Sequence, residues 1–257
     1  MVRKDGLELE IPGGPDAVLL LHGLTGSTFE LHVVAERLAR AGHRCLAPVM
    51  AGHGGPPSRL RGVRFEDWIA KAERDLARLD GARRTFVVGC SMGALAACAL
   101  AGAHPDRVDA LVLLSPALEL QRAGALGGLL GRLPFAGALV IPKSAGSDVR
   151  DAEMRRLNPT MPGVPLGAIA ELERMQRHVA ALLPDVETPA LVVMGALDHT
   201  VKVAGGLRLA RELGSAPARV VVLPESQHLV GIDVERERCA DEVERFIAAT
   251  AAAEEGA

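Results

Sequence analysis

Tyrosine is absent from this sequence, and the aromatic complement is five phenylalanines and one tryptophan. That excludes tyrosine chemistry and argues against base-stacking platforms or aromatic carbohydrate clamps. No cationic surplus exists either: 29 Lys and Arg stand against 32 Asp and Glu, a formal net charge of −3. Such a chain has no basic field for nucleic acid or an anionic membrane, so neither is expected as a partner. No apolar run approaches the ~18 residues of a membrane span. The first run, Ala17 to Leu21, is too short for a signal-peptide core. No membrane anchor is expected, and the cytoplasm is the expected compartment. Cysteines 45, 90, 98 and 239 form no C-x-x-C pair and no zinc-knuckle spacing. They read as buried, reduced thiols. Without H-E-x-x-H or an EF-hand loop, no metal is expected.

What is present is ordinary globular composition: 257 residues, 49% hydrophobic and 24% charged. The run Ala17 to Leu21 reads as a buried strand ending at His22-Gly23. Leu31, Val34, Ala35 and Leu38 fall at helical spacing, which predicts an amphipathic helix over 29–41 closed by Gly42. Further strands are expected at 44–48, 85–89, 110–114, 190–194 and 218–223. Helices are expected at 64–80, 92–103, 203–213 and 234–249, with a frayed tail over 251–257. Strands buried on both faces and alternating with helices predict a mostly parallel sheet covered on both sides. The alternation breaks over 121–187, too long a stretch for a simple connection. It reads as an inserted cap, so 1–120 and 188–257 form the core. Within it the glycine-rich stretch 124–131 reads as a mobile hinge. The stretch 137–144 mimics a phosphate loop, but Pro142 stands where the second glycine is needed.

The sharpest motif is Gly89-Cys90-Ser91-Met92-Gly93, a G-x-S-x-G between a β-type run and a helix-forming run. Such a corner strains its middle residue and lifts the Ser91 hydroxyl off the backbone. The competing reading is a plain turn with Ser91 capping the helix. A serine nucleophile needs a base and an orienting acid. Asp198 stands just past the strand 190–194. His228 stands just past the strand 218–223. One topology delivers all three to the same sheet edge. Glu119 is the alternative acid and His199 the alternative base. His22 and His53 lie in loops at that edge and read as loop-shaping residues. The two N–H donors for an oxyanion are expected from Met92 and Leu24, the latter beside Gly23 in His22-Gly23-Leu24-Thr25-Gly26.

These residues resemble the α/β-hydrolases over nearly the whole chain. The likeness is greatest to small bacterial carboxylesterases and monoacylglycerol-lipase-like serine esterases. It rests on Leu20 to Gly26, Ala51-Gly52-His53-Gly54, Asp67-Trp68, the Ser91 motif, Asp198-His199 and His228. Gly146-Ser147-Asp148 and Asn158-Pro159-Thr160 resemble that group's short cap. The resemblance implies a Ser91/Asp198/His228 triad, an oxyanion hole at Leu24 and Met92, and an apolar acyl pocket under a cap. It implies hydrolysis of short to medium acyl esters or monoacylglycerols through an acyl-enzyme, with no cofactor. Such lipases present an acidic group near Leu157 to the glycerol end, where this chain has Arg155 and Arg156. Thioester hydrolysis, carbon–carbon hydrolysis and acyl transfer use the same triad. A non-catalytic binding protein is the remaining alternative.

Overall fold

The computed structural model describes residues 6–133, 136–143, 146–214 and 218–255. Seven strands form one sheet, in the order β1, β3, β2, β4, β5, β8, β9. In chain order these are β1 (Leu9–Ile11), β2 (Ala17–Leu21), β3 (Arg44–Ala47), β4 (Thr85–Cys90) and β5 (Ala110–Leu114). A short pair follows, β6 (Val140–Pro142) and β7 (Gly163–Pro165), then β8 (Ala190–Gly195) and β9 (Arg219–Leu223). The edge strand β1 runs antiparallel to β3, and every other pair in the large sheet is parallel. The helices are α1 (His32–Arg40), α2 (Phe65–Ala77), α3 (Met92–Ala103), α4 (Arg122–Gly131), α5 (Ala152–Leu157), α6 (Leu166–Leu182), α7 (Val203–Glu212) and α8 (Arg236–Glu255).

Alternate strand residues supply two separate cores, as the period of two requires. Leu19, Leu21, Val87, Leu111, Leu113 and Val192 face one side, against Trp68 of α2, Leu95 of α3 and Met175 of α6. Leu20, Val88, Val112, Leu114 and Val193 face the other, against Val34 and Leu38 of α1 and Val243 and Ile247 of α8. Each fully buried aliphatic side chain contributes about 1.5–3 kcal/mol. Both sheet faces being covered explains why the strands read as continuous apolar runs.

Two expectations change, and one strand goes unread in the sequence. The glycine-rich stretch 124–131 lies within α4 rather than forming a hinge. A Cβ on Gly131 would meet Leu166 O at 2.1 Å, so the glycines let α4 lie close against the start of α6. The tail is not frayed over 251–255, because α8 runs to Glu255 through an alanine-rich turn of high helix propensity. Residues 256–257 of that expectation lie outside the described residues. The edge strand β1 has three residues, too few for a periodicity to register.

Register explains why one sheet edge collects the chemistry. Leu21 pairs with Gly89 and Cys90 with Leu114. Leu114 pairs with Val193, and Gly195 with Leu223. Ser91, Asp198 and His228 therefore leave the sheet at the same level. Among the described residues, no helix is long and apolar enough to cross a membrane.

Candidate active site

Ser91 sits at the turn between β4 and α3 with φ 55° and ψ −114°. Its side chain makes no capping bond to the helix, which removes the plain-turn reading. The corner is held by Ser91 N–H donating to Leu114 O at 2.9 Å. A Cβ on Gly93 would stand 2.0 Å from Leu21 O, and one on Gly89 2.3 Å from Gly93 O. Both glycines are steric requirements of the corner. They hold the serine in a backbone region that costs about 1–3 kcal/mol.

Asp198 is tied down by its own loop. Its Oδ1 accepts Thr200 N–H at 2.8 Å and Val201 N–H at 2.7 Å. Its Oδ2 lies 2.8 Å from His228 Nδ1. That bond puts the imidazole proton on Nδ1 and leaves Nε2 as the basic nitrogen. Burial by itself depresses the His228 pKa, but the carboxylates of Asp198 foremost, then Asp148 and Glu30, together more than offset it. The net shift is upward, favouring the imidazolium.

The alternatives have other partners, although His199 lines the same cavity as Ser91. Glu119 faces Lys202 and Arg208 at 3.5 and 3.4 Å. His199 is largely exposed, and its Nδ1 meets Asp148 Oδ1 at 3.0 Å. Burial pushes the thiols of Cys45, Cys98 and Cys239 up to about 12, so they stay protonated.

The loop after β2 presents Leu24 between two anchored neighbours. Gly23 N–H donates to Glu30 Oε2 at 3.1 Å, and Thr25 N–H donates to His53 Nε2 at 3.0 Å. His22 Nε2 accepts Met50 N–H at 3.1 Å. Burial holds His22 down at about 3 and His53 at about 4, so both stay neutral and accept these bonds. They shape the loop, as their positions in the sequence imply. Among the described residues, the N–H groups of Leu24 and Met92 have no acceptor. Met92 opens α3, whose positive dipole end adds to any anion stabilisation there.

Ser91 and His228 line one cavity of about 320 Å³. Its apolar wall is Leu24, Leu120, Val164, Ile169, Leu172 and Leu229, with no Phe or Trp among the described residues. Lys143, Asp148, Thr160 and Glu30 also line it. None of these four was given a role by sequence reasoning. Asp148 and Thr160 were visible only as parts of familiar short strings. Glu30 and Lys143 carried no local signal, because their partners are distant in sequence. Arg155 and Arg156 stand exposed on α5 and do not line the cavity.

A parallel sheet with a strained serine at one corner and an Asp–His pair on the same edge defines an α/β-hydrolase. The chain belongs to the family described as serine aminopeptidase, S33, which it matches over residues 15–235. It is 30% identical to a thermostable monoacylglycerol lipase of Bacillus sp. (strain H-257) over 226 residues, 87% of this chain and 86% of that protein. It is 24% identical to a carboxylesterase of Bacillus subtilis (strain 168), covering 91% of this chain and 93% of that one. Among solved structures it resembles a metagenome-derived lipolytic enzyme of the pair LipS and LipT. There the TM-score is 0.87 and the identity 27%, over 97% of this chain and 100% of the other.

Proposed function

We propose that Ser91, His228 and Asp198 hydrolyse short to medium acyl esters or monoacylglycerols in two steps through an acyl-enzyme. The protein is a carboxylic ester hydrolase, as its relatives of nearly matching length are. The observation that carries the site assignment is the 2.8 Å bond from Asp198 to His228, which lines the same cavity as the strained Ser91.

In the first step His228 Nε2 takes the Ser91 proton as Oγ attacks the ester carbonyl. Asp198 holds the ring and stabilises the imidazolium. The Leu24 and Met92 N–H groups receive the oxyanion, each worth about 3 kcal/mol in the transition state. His228 then protonates the leaving alcohol. Water, deprotonated by His228, cleaves the acyl-enzyme along the same route. We read the inserted stretch 121–187 as the cap that roofs the cavity. The core, 1–120 and 188–257, supplies the nucleophile, acid and base. The proposed compartment is the cytoplasm, supported by four cysteines that are free and buried.

The test is Ser91→Ala against p-nitrophenyl butyrate. Turnover should fall by about 10⁵-fold or more with the fold intact. Near-wild-type turnover would remove Ser91 from the mechanism.

A further inference from the structure

The cavity has one permanent cation among its described lining residues, Lys143. Its backbone N–H donates to Pro162 O at 2.9 Å, which fixes it just past the end of β6. Its Nζ donates to Thr160 Oγ1 at 3.2 Å. Thr160 Oγ1 in turn donates to Thr25 O at 2.9 Å, so the hydroxyl proton is committed and a lone pair is left for the ammonium. Thr25 directly follows Leu24, so the ammonium stands one hydroxyl away from the loop that presents the Leu24 N–H.

An ammonium carries three donors, and one is used here. Among the described residues, no carboxylate forms an ion pair with Lys143. The two carboxylates that share the cavity are otherwise engaged. Asp148 accepts His199 N–H at 2.9 Å and Thr200 Oγ1 at 2.8 Å. Glu30 accepts Gly23 N–H, and burial raises its pKa toward the neutral acid. Burial also pushes the Lys143 ammonium down, with Glu30 offsetting part of that. A cation in a wall of Leu, Val and Ile is costly until an anion joins it.

We propose that Lys143 and Thr160 form an anion subsite beside the oxyanion loop, and that the substrate is an ester carrying a carboxylate. This narrows the ester-hydrolase reading and rests on it. The carboxylate belongs either to the acyl part, as in a half-ester of a dicarboxylic acid, or to the alcohol part, as in an ester of a hydroxy acid. Two of its charge-assisted bonds would come from Nζ. Its presence would also give Nζ the hydrogen-bonded counter-charge that neither Asp148 nor Glu30 supplies.

The experiment compares kcat/KM within two matched pairs. Methyl hydrogen glutarate against methyl pentanoate tests the acyl side. The butyryl ester of 3-hydroxypropanoate against propyl butyrate tests the alcohol side. Wild-type protein should prefer the charged member of one pair by about tenfold or more, and that pair names the side. Lys143→Met should cut this preference by about tenfold or more, and Lys143→Arg should restore much of it. Equal or inverted preference in both pairs, or a preference unchanged in Lys143→Met, overturns the subsite while hydrolysis of the neutral esters keeps the underlying reading. Failure to hydrolyse any ester overturns both. Should Lys143→Met not fold, the wild-type preference alone decides.

Discussion

Replacing Asp148 with alanine should disable catalysis although Asp148 is neither nucleophile, base nor acid. Its carboxylate accepts His199 N–H at 2.9 Å and Thr200 Oγ1 at 2.8 Å, on the loop that carries Asp198. Its carbonyl accepts Leu229 N–H at 3.2 Å, one residue past His228. A single residue therefore ties the acid loop to the base loop. Hydrogen bonds to a charged group contribute about 1.5–3 kcal/mol each, so the two to the acid loop amount to about 3–6 kcal/mol of local restraint. The contact with the exposed His199 ring adds less than about 1 kcal/mol. Alanine keeps the carbonyl bond and loses the rest. A drift of about 1 Å at Asp198 is enough to lower kcat by about 100-fold with KM little changed. The charge has a second effect, because Asp148 is among the groups that raise His228. Removing it lowers the His228 pKa. The neutral imidazole is the active base, so the acid limb of kcat/KM moves to lower pH. Asp148→Asn should show that acidward shift with a smaller loss of kcat. The assay is p-nitrophenyl butyrate hydrolysis across the pH range. Folding is checked by the fluorescence of Trp68, the only tryptophan and fully buried. A kcat for Asp148→Ala within about threefold of wild type, or a limb that moves to higher pH, would refute the reasoning.

Other consequences follow from the same geometry. Gly93→Ala places a Cβ 2.0 Å from Leu21 O, and backbone cannot yield cheaply there. A loss of about 4 kcal/mol or more is expected, read as a lower urea midpoint. Ile169→Trp would fill part of the 320 Å³ cavity. It should lower kcat/KM for octanoyl esters about tenfold or more relative to acetyl esters. Glu30 has its folded pKa raised by burial, with the Gly23 N–H bond opposing. An acid so raised loses stability as pH climbs above its unfolded pKa toward the folded one. Glu30→Gln should therefore raise Tm at alkaline pH by about 2 °C or more, and by less in acid. Equal shifts at both pH values would contradict that.

The sequence carried the skeleton of this account because the sheet is parallel and doubly covered. Apolar runs such as Ala17 to Leu21 and Ala110 to Leu114 could be little else, and both strands have those bounds. Once strands are placed, a parallel sheet sends all their carboxyl ends to one edge, so Ser91, Asp198 and His228 were readable together. The helix over 92–103 was equally plain. What failed to register depends on contacts remote in sequence. The glycines of α4 argue against a helix by propensity, and only packing against α6 makes one favourable there. Asp148 is 51 residues from His199 and Thr160 is 135 from Thr25, so no spacing rule connects them. Glu30 looks like an ordinary helix-start acid until the fold buries it against Gly23 and Gly26.

The central claim is that Ser91 is the acylated nucleophile of an ester hydrolase. The most direct test treats the protein with a fluorophosphonate and measures intact mass, the modified peptide and esterase activity together. The account predicts one adduct per chain, on the peptide that carries Ser91, with activity lost in proportion, and no adduct in Ser91→Ala. An adduct on another residue, or esterase activity that survives full labelling of Ser91, would contradict it.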